Sequence, residues 1–353
     1  MSALTSDFYV YVSLITGGEM GFVLKRIAQM AAVIIAATFL AFAAMNSLGD
    51  PLFNVVGFHA SVDCEAVLAG DIQDVSGQGG TDVGDCEVVE AAREKYHLND
   101  PLPVRYVRWA GDVVQGDLGV SFKNSMPVST IIGNRIPKSI FLMVVAEIFA
   151  LVIAVPAAIR AAYKANRVFD KSATVSSFGF ISLPNFALGV ILFYLFVVKW
   201  QIFPSRYEDD DLFSRLRSTV LPGMTLALPL AATYFRLLRT DLITTLQEDF
   251  VLMAKAKGLS DRWIMFRHVL RPSLFSLVTV FGLSTGGLIG GALVVEQIFV
   301  IPGLGRTFVE AVIRDDFPLV LGLVTIISSS FIAINFIVDL FYSVIDPRVS
   351  RET

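Results

Sequence analysis

Long apolar stretches separated by polar segments dominate this chain. Six stretches reach the roughly 20 mostly apolar residues that crossing a bilayer requires. They cover residues 23–45, 139–159, 172–199, 219–238, 274–296 and 319–345. Each must be helical if it spans the membrane, because lipid offers no hydrogen-bond partner to unpaired backbone groups. The pattern predicts an all-α membrane protein with six transmembrane helices.

The first apolar stretch also has features of a signal peptide. Lys25 and Arg26 precede its apolar core, and Ala41-Phe42-Ala43 resembles a cleavage site. The apolar run is long for a signal peptide, however, and its removal would leave an odd number of spans. We therefore interpret residues 23–45 as the first membrane helix, preceded by an N-terminal extension at residues 1–22.

The positions of basic residues predict the orientation of the chain, because short cytoplasmic loops are enriched in Lys and Arg. The loop at residues 239–273 is rich in both, whereas residues 208–211 form an acidic cluster after the third span. The loop between spans two and three is also basic, with Arg160, Lys164, Arg167 and Lys171. Both basic loops and both termini are therefore expected in the cytoplasm.

The sizeable polar region at residues 46–138 separates the first two spans and is expected outside the cytoplasm. Between Ser61 and Ala92 it holds eight acidic residues and no Lys or Arg. Cys64 and Cys86 flank the glycine-rich centre of this acidic insertion. Outside the cytoplasm they can form a disulfide that contributes about 3 kcal/mol. Two free thiols are the alternative.

The composition agrees with a membrane protein and limits the chemistry. Apolar residues make up 54% of the chain and charged residues 17%, against about 25% charge in soluble domains. The sequence lacks the G-x-x-x-x-G-K-[ST] phosphate loop, the H-E-x-x-H motif and paired-cysteine metal motifs. We therefore expect no enzymatic activity and no metal, cofactor or nucleic acid bound by this chain.

The loop at residues 240–273 has the pattern of two short helices joined at a glycine corner. Thr244 or Thr245 can cap the first helix, and Gly258 follows its end. Ser260 can cap the second helix. A short amphipathic helix in such a loop can dock into a groove of a partner or lie on lipid headgroups. The residues alone favour neither alternative.

This loop resembles that of binding-protein-dependent ABC importer permeases of the oligopeptide/dipeptide/nickel branch. Its sequence EDFVLMAKAKGLSDRWIMFRHVLRP is similar to the family pattern E-D-[YF]-[VI]-x-x-A-x-A-K-G-L-S. The GDP at Gly49–Pro51 and the segments 98–122, 294–320 and 335–349 also resemble family segments. Residues 1–19 and the length of the acidic insertion depart from the family pattern. Leu252 and Met253 depart from the broader E-A-A-x-x-x-G form of ABC importers.

The resemblance implies a type I importer permease fold in the plasma (inner) membrane of a prokaryote. It also implies four further subunits: a homologous second permease, two ATP-binding subunits that hold ATP and Mg, and an external substrate-binding protein. Peptides are the default cargo of this branch, although relatives carry nickel or glutathione. The expected contact with the ATPases comprises Glu248, Asp249, Phe250, Ala254, Ala256, Lys257, Gly258 and Leu259.

Polar residues within the spans are candidates for the pore. Glu147 lies near the middle of span two, where an ionisable side chain is costly and often functional; hydrogen-bonded packing is the alternative. Asn185 and Glu296 are further pore candidates. A self-contained ion-coupled secondary transporter with Glu147 as carrier is the competing function. It predicts internal repeats and several intramembrane carboxylates, and the sequence shows one central acid and no clear repeat.

Span five is rich in glycine at four-residue spacing, which permits close approach of another helix. Packing against the second permease is one interpretation, and a gating hinge is the other. The glycines are Gly282, Gly286, Gly287, Gly290 and Gly291.

Overall fold

The computed structural model describes residues 28–47, 91, 93–94 and 99–345, with side chains as far as Val338. Within these ranges the regular structure is helical, apart from one isolated antiparallel bridge between Val120 and Pro127. The predicted all-α fold is confirmed. The N-terminal extension and the candidate disulfide between Cys64 and Cys86 fall outside the described residues, so both stay predictions.

In chain order, the helices with described bounds are α1 (Ala28–Ser47), α2 (Leu102–Val114), α3 (Val128–Tyr163), α4 (Val168–Ser182), α5 (Asn185–Phe193), α6 (Leu212–Thr245), α7 (Asp249–Ala256), α8 (Asp261–Ile264), α9 (Leu270–Ile298), α10 (Leu304–Ile313) and α11 (Phe317–Ile345). A π-helical segment, Tyr194–Lys199, continues α5, and another, Met265–Val269, joins α8 to α9.

Five helical segments of the described part are long and apolar enough to cross a membrane: α1, α3, α6, the joined α8–α9 and α11. The pair α4–α5 would make a sixth span, but it bends by 102°. The predicted third span, residues 172–199, is therefore two helical pieces that meet at a bend, and not a single straight helix. Pro184 explains the break, because proline lacks an N–H and keeps the preceding residue out of the helical region. Leu183 is extended accordingly, with φ −83° and ψ 123°.

Helices α3 and α6 extend well beyond the predicted spans 139–159 and 219–238. Their apolar windows end at charged residues, although the helices continue past them. Asp211 starts α6 with a capping box, in which its carboxylate accepts the Ser214 N–H at 3.1 Å and its own N–H donates to the Ser214 hydroxyl at 3.1 Å. Hydrogen bonds from Ser214 hold the pKa of the exposed Asp211 carboxyl below its usual value.

The described residues divide into two compact units, and the first comprises residues 28–30, 135–307 and 329–345. Ala150, Ala154 and Ala158 on α3 are fully buried in its core. Small residues at four-residue spacing let two helices approach closely. The bulky side chains of α6 pack in the same cluster, among them Tyr234, Phe235, Leu238 and Leu242.

The second unit comprises residues 31–47, 91, 93–94, 99–134 and 308–328. Tyr106 of α2 ties this helix to α1, since its hydroxyl lies 2.9 Å from the Thr38 hydroxyl and donates to the Ile35 carbonyl at 3.1 Å. Asp316 holds the loop after α2: its buried carboxylate accepts from the Ser121 hydroxyl and from the Phe122 N–H at 3.1 Å. Two segments that resemble the importer permeases therefore meet at Asp316.

Candidate functional site

The predicted first helix of the 240–273 loop exists as α7, Asp249–Ala256. Asp249 in its first turn and Lys255 in its last turn complement the helix dipole. Gly258 follows with φ +75°, a left-handed conformation in which glycine avoids the strain of a side chain. The predicted caps at Thr244 and Thr245 are wrong, because α6 continues through Thr245.

The second helix of the loop begins as predicted and then joins the next span. The Ser260 hydroxyl accepts the Trp263 N–H at 3.4 Å, so Ser260 is the N-cap of α8. The π-helical segment Met265–Val269 then leads directly into α9. The loop therefore connects the long helices α6 and α9 through short helical segments, which are α7, α8 and the π-helical segment.

Helix α7 has a buried side and an open side. Val251 is fully buried and Ala254 is 6% exposed, and both pack in the core cluster with α3, α6 and α9. Leu252 and Met253 are 59% and 62% exposed. The predicted contact residues other than Ala254 are all exposed: Glu248, Asp249, Phe250, Ala256, Lys257, Gly258 and Leu259.

A buried ion pair fixes the end of α6 that leads into this loop. The Arg239 guanidinium of α6 donates two hydrogen bonds to the Asp170 carboxylate of α4, one from Nε and one from Nη2 at 2.7 Å. The Asn166 N–H adds a third bond at 2.8 Å, and Asp170 is only 2% exposed. Sequence reasoning missed this pair, although Asp170 is the lone acid in a basic loop.

Replacing Asp170 with asparagine is expected to destabilise the protein by about 3 kcal/mol, because Arg239 loses its partner in a largely buried position. Thermal unfolding of the purified chain in detergent measures the effect. Asp261→Asn is the matched control, since Asp261 is exposed at the start of α8. Equal unfolding temperatures for the two variants would contradict a structural role for the pair.

Glu147 forms a buried polar contact between three helices. Its side chain is 6% exposed and accepts from the Tyr234 hydroxyl of α6 at 3.0 Å. It also accepts from the Thr285 hydroxyl of α9 at 3.2 Å. The carboxyl group of Glu147 therefore has hydrogen-bond partners within the helix bundle. This arrangement fits the alternative of hydrogen-bonded packing better than a position in an open pore.

Glu296 anchors the start of α10. Its fully buried carboxylate accepts the Gly305 N–H at 2.7 Å, the Arg306 N–H at 3.2 Å and the Ser139 hydroxyl at 2.6 Å. Carboxylates are favourable at helix N-termini, where backbone N–H groups have no intrahelical partner. Gly303 makes room for this carboxylate, which a Cβ at that position would overlap. These contacts give no support to the prediction that Glu296 lines a pore.

Asn185 begins α5 directly after the bend at Pro184 and is half-buried. Its Nδ2 lies 3.3 Å from the place that a Cβ of Gly291 would occupy. Asn185 therefore packs against α9, and its role as a pore residue stays a prediction.

The glycines of span five have different neighbours. A Cβ at Gly282 would lie 2.6 Å from Val338, and one at Gly286 would lie 3.1 Å from Asn335. These two glycines therefore let α9 approach α11 of the same chain. No described atom beyond their own helix lies within 4 Å of a Cβ placed at Gly287 or Gly290. The interpretation that α9 packs against a second permease therefore remains a prediction for the side of α9 that carries Gly287 and Gly290.

Comparison with known proteins identifies the family. Residues 154–351 match the binding-protein-dependent transport system inner membrane component family. The oligopeptide transport system permease protein AppB of Bacillus subtilis is 36% identical over 263 residues, which cover 72% of this chain and 83% of AppB.

Two further relatives agree. The glutathione transport system permease protein GsiC of Escherichia coli K12 is 34% identical over 75% of this chain and 85% of GsiC. The probable peptide ABC transporter permease protein y4tP of Sinorhizobium fredii is 34% identical over 74% of this chain and 85% of its own length. The chain belongs to the family of binding-protein-dependent transport system inner membrane components and is a multi-pass permease.

Proposed function

We propose that this chain is one of two homologous permeases in an ATP-driven importer of peptides or related small solutes. An external binding protein delivers the substrate, and two ATP-binding subunits hold ATP and Mg. The names of the relatives support this cargo class, since they include oligopeptide, peptide and glutathione transport. An ion-coupled secondary transporter is disfavoured by the same relatives and by the hydrogen-bonded position of Glu147.

The two-sided packing of α7 is the observation that carries the coupling role. An exposed apolar side with charged residues at both helix ends suits docking into a groove of a partner. The opposite side is seated among the helices of the membrane core through Val251 and Ala254. Packed interiors transmit displacement instead of absorbing it. A movement of the ATPases that shifts α7 would therefore shift α6 and α9.

The proposed orientation places this loop in the cytoplasm, together with both termini. Its support is the basic character of the loop and of the segment between α3 and α4. In this orientation the ion pair between Asp170 and Arg239 lies at the cytoplasmic end of α6 and stiffens the helix where the loop begins.

Uptake of a labelled peptide into vesicles that contain the complete importer tests this function. Wild-type uptake is expected to require ATP and both ATPase subunits. Gly258→Val is expected to lower it at least tenfold, because a β-branched residue at φ +75° is strained and displaces α7. Gly258→Asn is the matched control, since asparagine tolerates this conformation. ATP-independent uptake, or full uptake by Gly258→Val, would contradict the proposal.

A further inference from the structure

A groove of about 620 Å³ lies where the end of α3 meets the π-helical elbow between α8 and α9. Its walls are largely apolar and include Val155 and Ile159 from α3, Phe266 from the elbow and Leu270 from the start of α9. The volume falls within the range of small-molecule sites. The groove is therefore large enough to take part of a lipid or a similar amphiphile.

Two cations line this groove. Arg160 lies in the last turn of α3, and Lys164 directly follows the end of that helix. None of the described residues that line the groove is acidic. Arg160 lies over the Phe169 ring at 4.6 Å, and Asp170, the acid of this loop, is already paired with Arg239. The two cations therefore face the groove without a carboxylate partner among the described residues.

Two of the residues that line the groove are exposed aromatic side chains. Tyr163 is 43% exposed and Phe266 is 53% exposed. Such amphipathic or bulky rings are typical of the level at which membrane proteins meet the lipid headgroups. On α3 the apolar residues of the groove precede Arg160, and the chain has no charged residue between Glu147 and Arg160. Basic side chains and apolar side chains therefore line one groove, which matches the phosphate and the acyl chains of a phospholipid.

We propose that the groove binds an anionic phospholipid of the cytoplasmic leaflet. Its phosphate contacts Arg160 and Lys164, and an acyl chain lies along Val155, Ile159 and Leu270. Basic pockets between membrane helices on the cytoplasmic side have this specificity in general. The inference rests on the orientation proposed above and is independent of the cargo. Because the elbow also carries the base of the α7 loop, the lipid would support the segment that the ATPases move.

Lipid binding to the complete, purified importer tests the inference. Native mass spectrometry measures the retention of phosphatidylglycerol against phosphatidylcholine during titration of each lipid. Wild type is expected to prefer phosphatidylglycerol. Arg160→Gln with Lys164→Gln is expected to weaken phosphatidylglycerol binding about 25-fold, from about five-fold for each cation. Arg167→Gln with Lys171→Gln removes the same charge from the same loop outside the groove and is expected to change binding less than two-fold.

Three results would overturn the inference. The first is an unchanged preference for phosphatidylglycerol in the Arg160/Lys164 variant. The second is an equal loss of phosphatidylglycerol binding in both double variants, which would indicate diffuse surface charge. The third is a groove that another subunit of the importer covers. A photocrosslinking amino acid at Phe266 tests the last of these in the intact importer. It is expected to label lipid, and a crosslink to another subunit would show that protein occupies the groove. Peptide uptake is measured in parallel, so the failure of lipid binding and the failure of the proposed function are distinguishable.

Discussion

Glu296→Ala is expected to abolish uptake and to lower the free energy of unfolding by about 3 kcal/mol. The substitution leaves the N–H groups of Gly305 and Arg306 and the hydroxyl of Ser139 without their acceptor in a buried place. It also opens a cavity beside Gly303, where the carboxylate now sits. Thermal unfolding in detergent and ATP-dependent peptide uptake measure the two effects.

Glu296→Gln distinguishes the effect of losing the negative charge from the effect of losing the side-chain volume. Glutamine keeps the volume and one acceptor oxygen, so we expect it to retain more stability than alanine but less than wild type. Its amide nitrogen cannot accept an N–H, which leaves at least one donor unpaired. If alanine were as stable as wild type, the proposed anchoring of α10 by Glu296 would be wrong.

Phe250→Asp is expected to reduce uptake at least tenfold while the chain remains folded and inserted in the membrane. Phe250 is 39% exposed on α7, and the substitution places a charge on the surface proposed to meet an ATPase. Burying an unpaired charge at an interface costs more than burying an apolar ring. Co-purification of the ATPases with the permease and peptide uptake measure the loss.

Phe213→Asp is the matched control for this substitution. Phe213 is the second residue of α6 and Phe250 the second residue of α7, so aspartate complements the helix dipole equally at both positions. Phe213 is 73% exposed and lies at the other end of α6 from the loop. We expect Phe213→Asp to keep the ATPases bound, and an equal loss in both variants would argue against a specific contact at α7.

The sequence predicted the features that depend on local pattern. Apolar windows located the membrane helices, and the glycine corner at Gly258 and the cap at Ser260 follow from residue chemistry within a few positions. The predicted caps at Thr244 and Thr245 failed because packing against the core extends α6 beyond its apolar window. The apolar window over residues 172–199 does not show the bend at Pro184, because hydrophobicity is continuous on both sides of the proline.

The features that the sequence did not predict join residues far apart in the chain. Glu296 and Ser139 are 157 positions apart, and Asp170 and Arg239 are 69 apart. An acid in an apolar segment has the same appearance whether it caps another helix, packs against hydroxyls or lines a pore. Only the partners of Glu147 and Glu296 distinguish these roles, and those partners depend on the tertiary arrangement of the helices.

The length of α6 has a consequence for the reach of the loop that follows it. Residues 219–238 alone are long enough for the hydrocarbon core, at about 1.5 Å per residue. The helix continues to Thr245, seven residues further, which adds about 10 Å. That distance exceeds the headgroup layer on one side of a bilayer, which is about 5 to 8 Å thick. In the orientation proposed above, we therefore expect α7 to start in the aqueous phase, where a soluble subunit can reach it without displacing lipid.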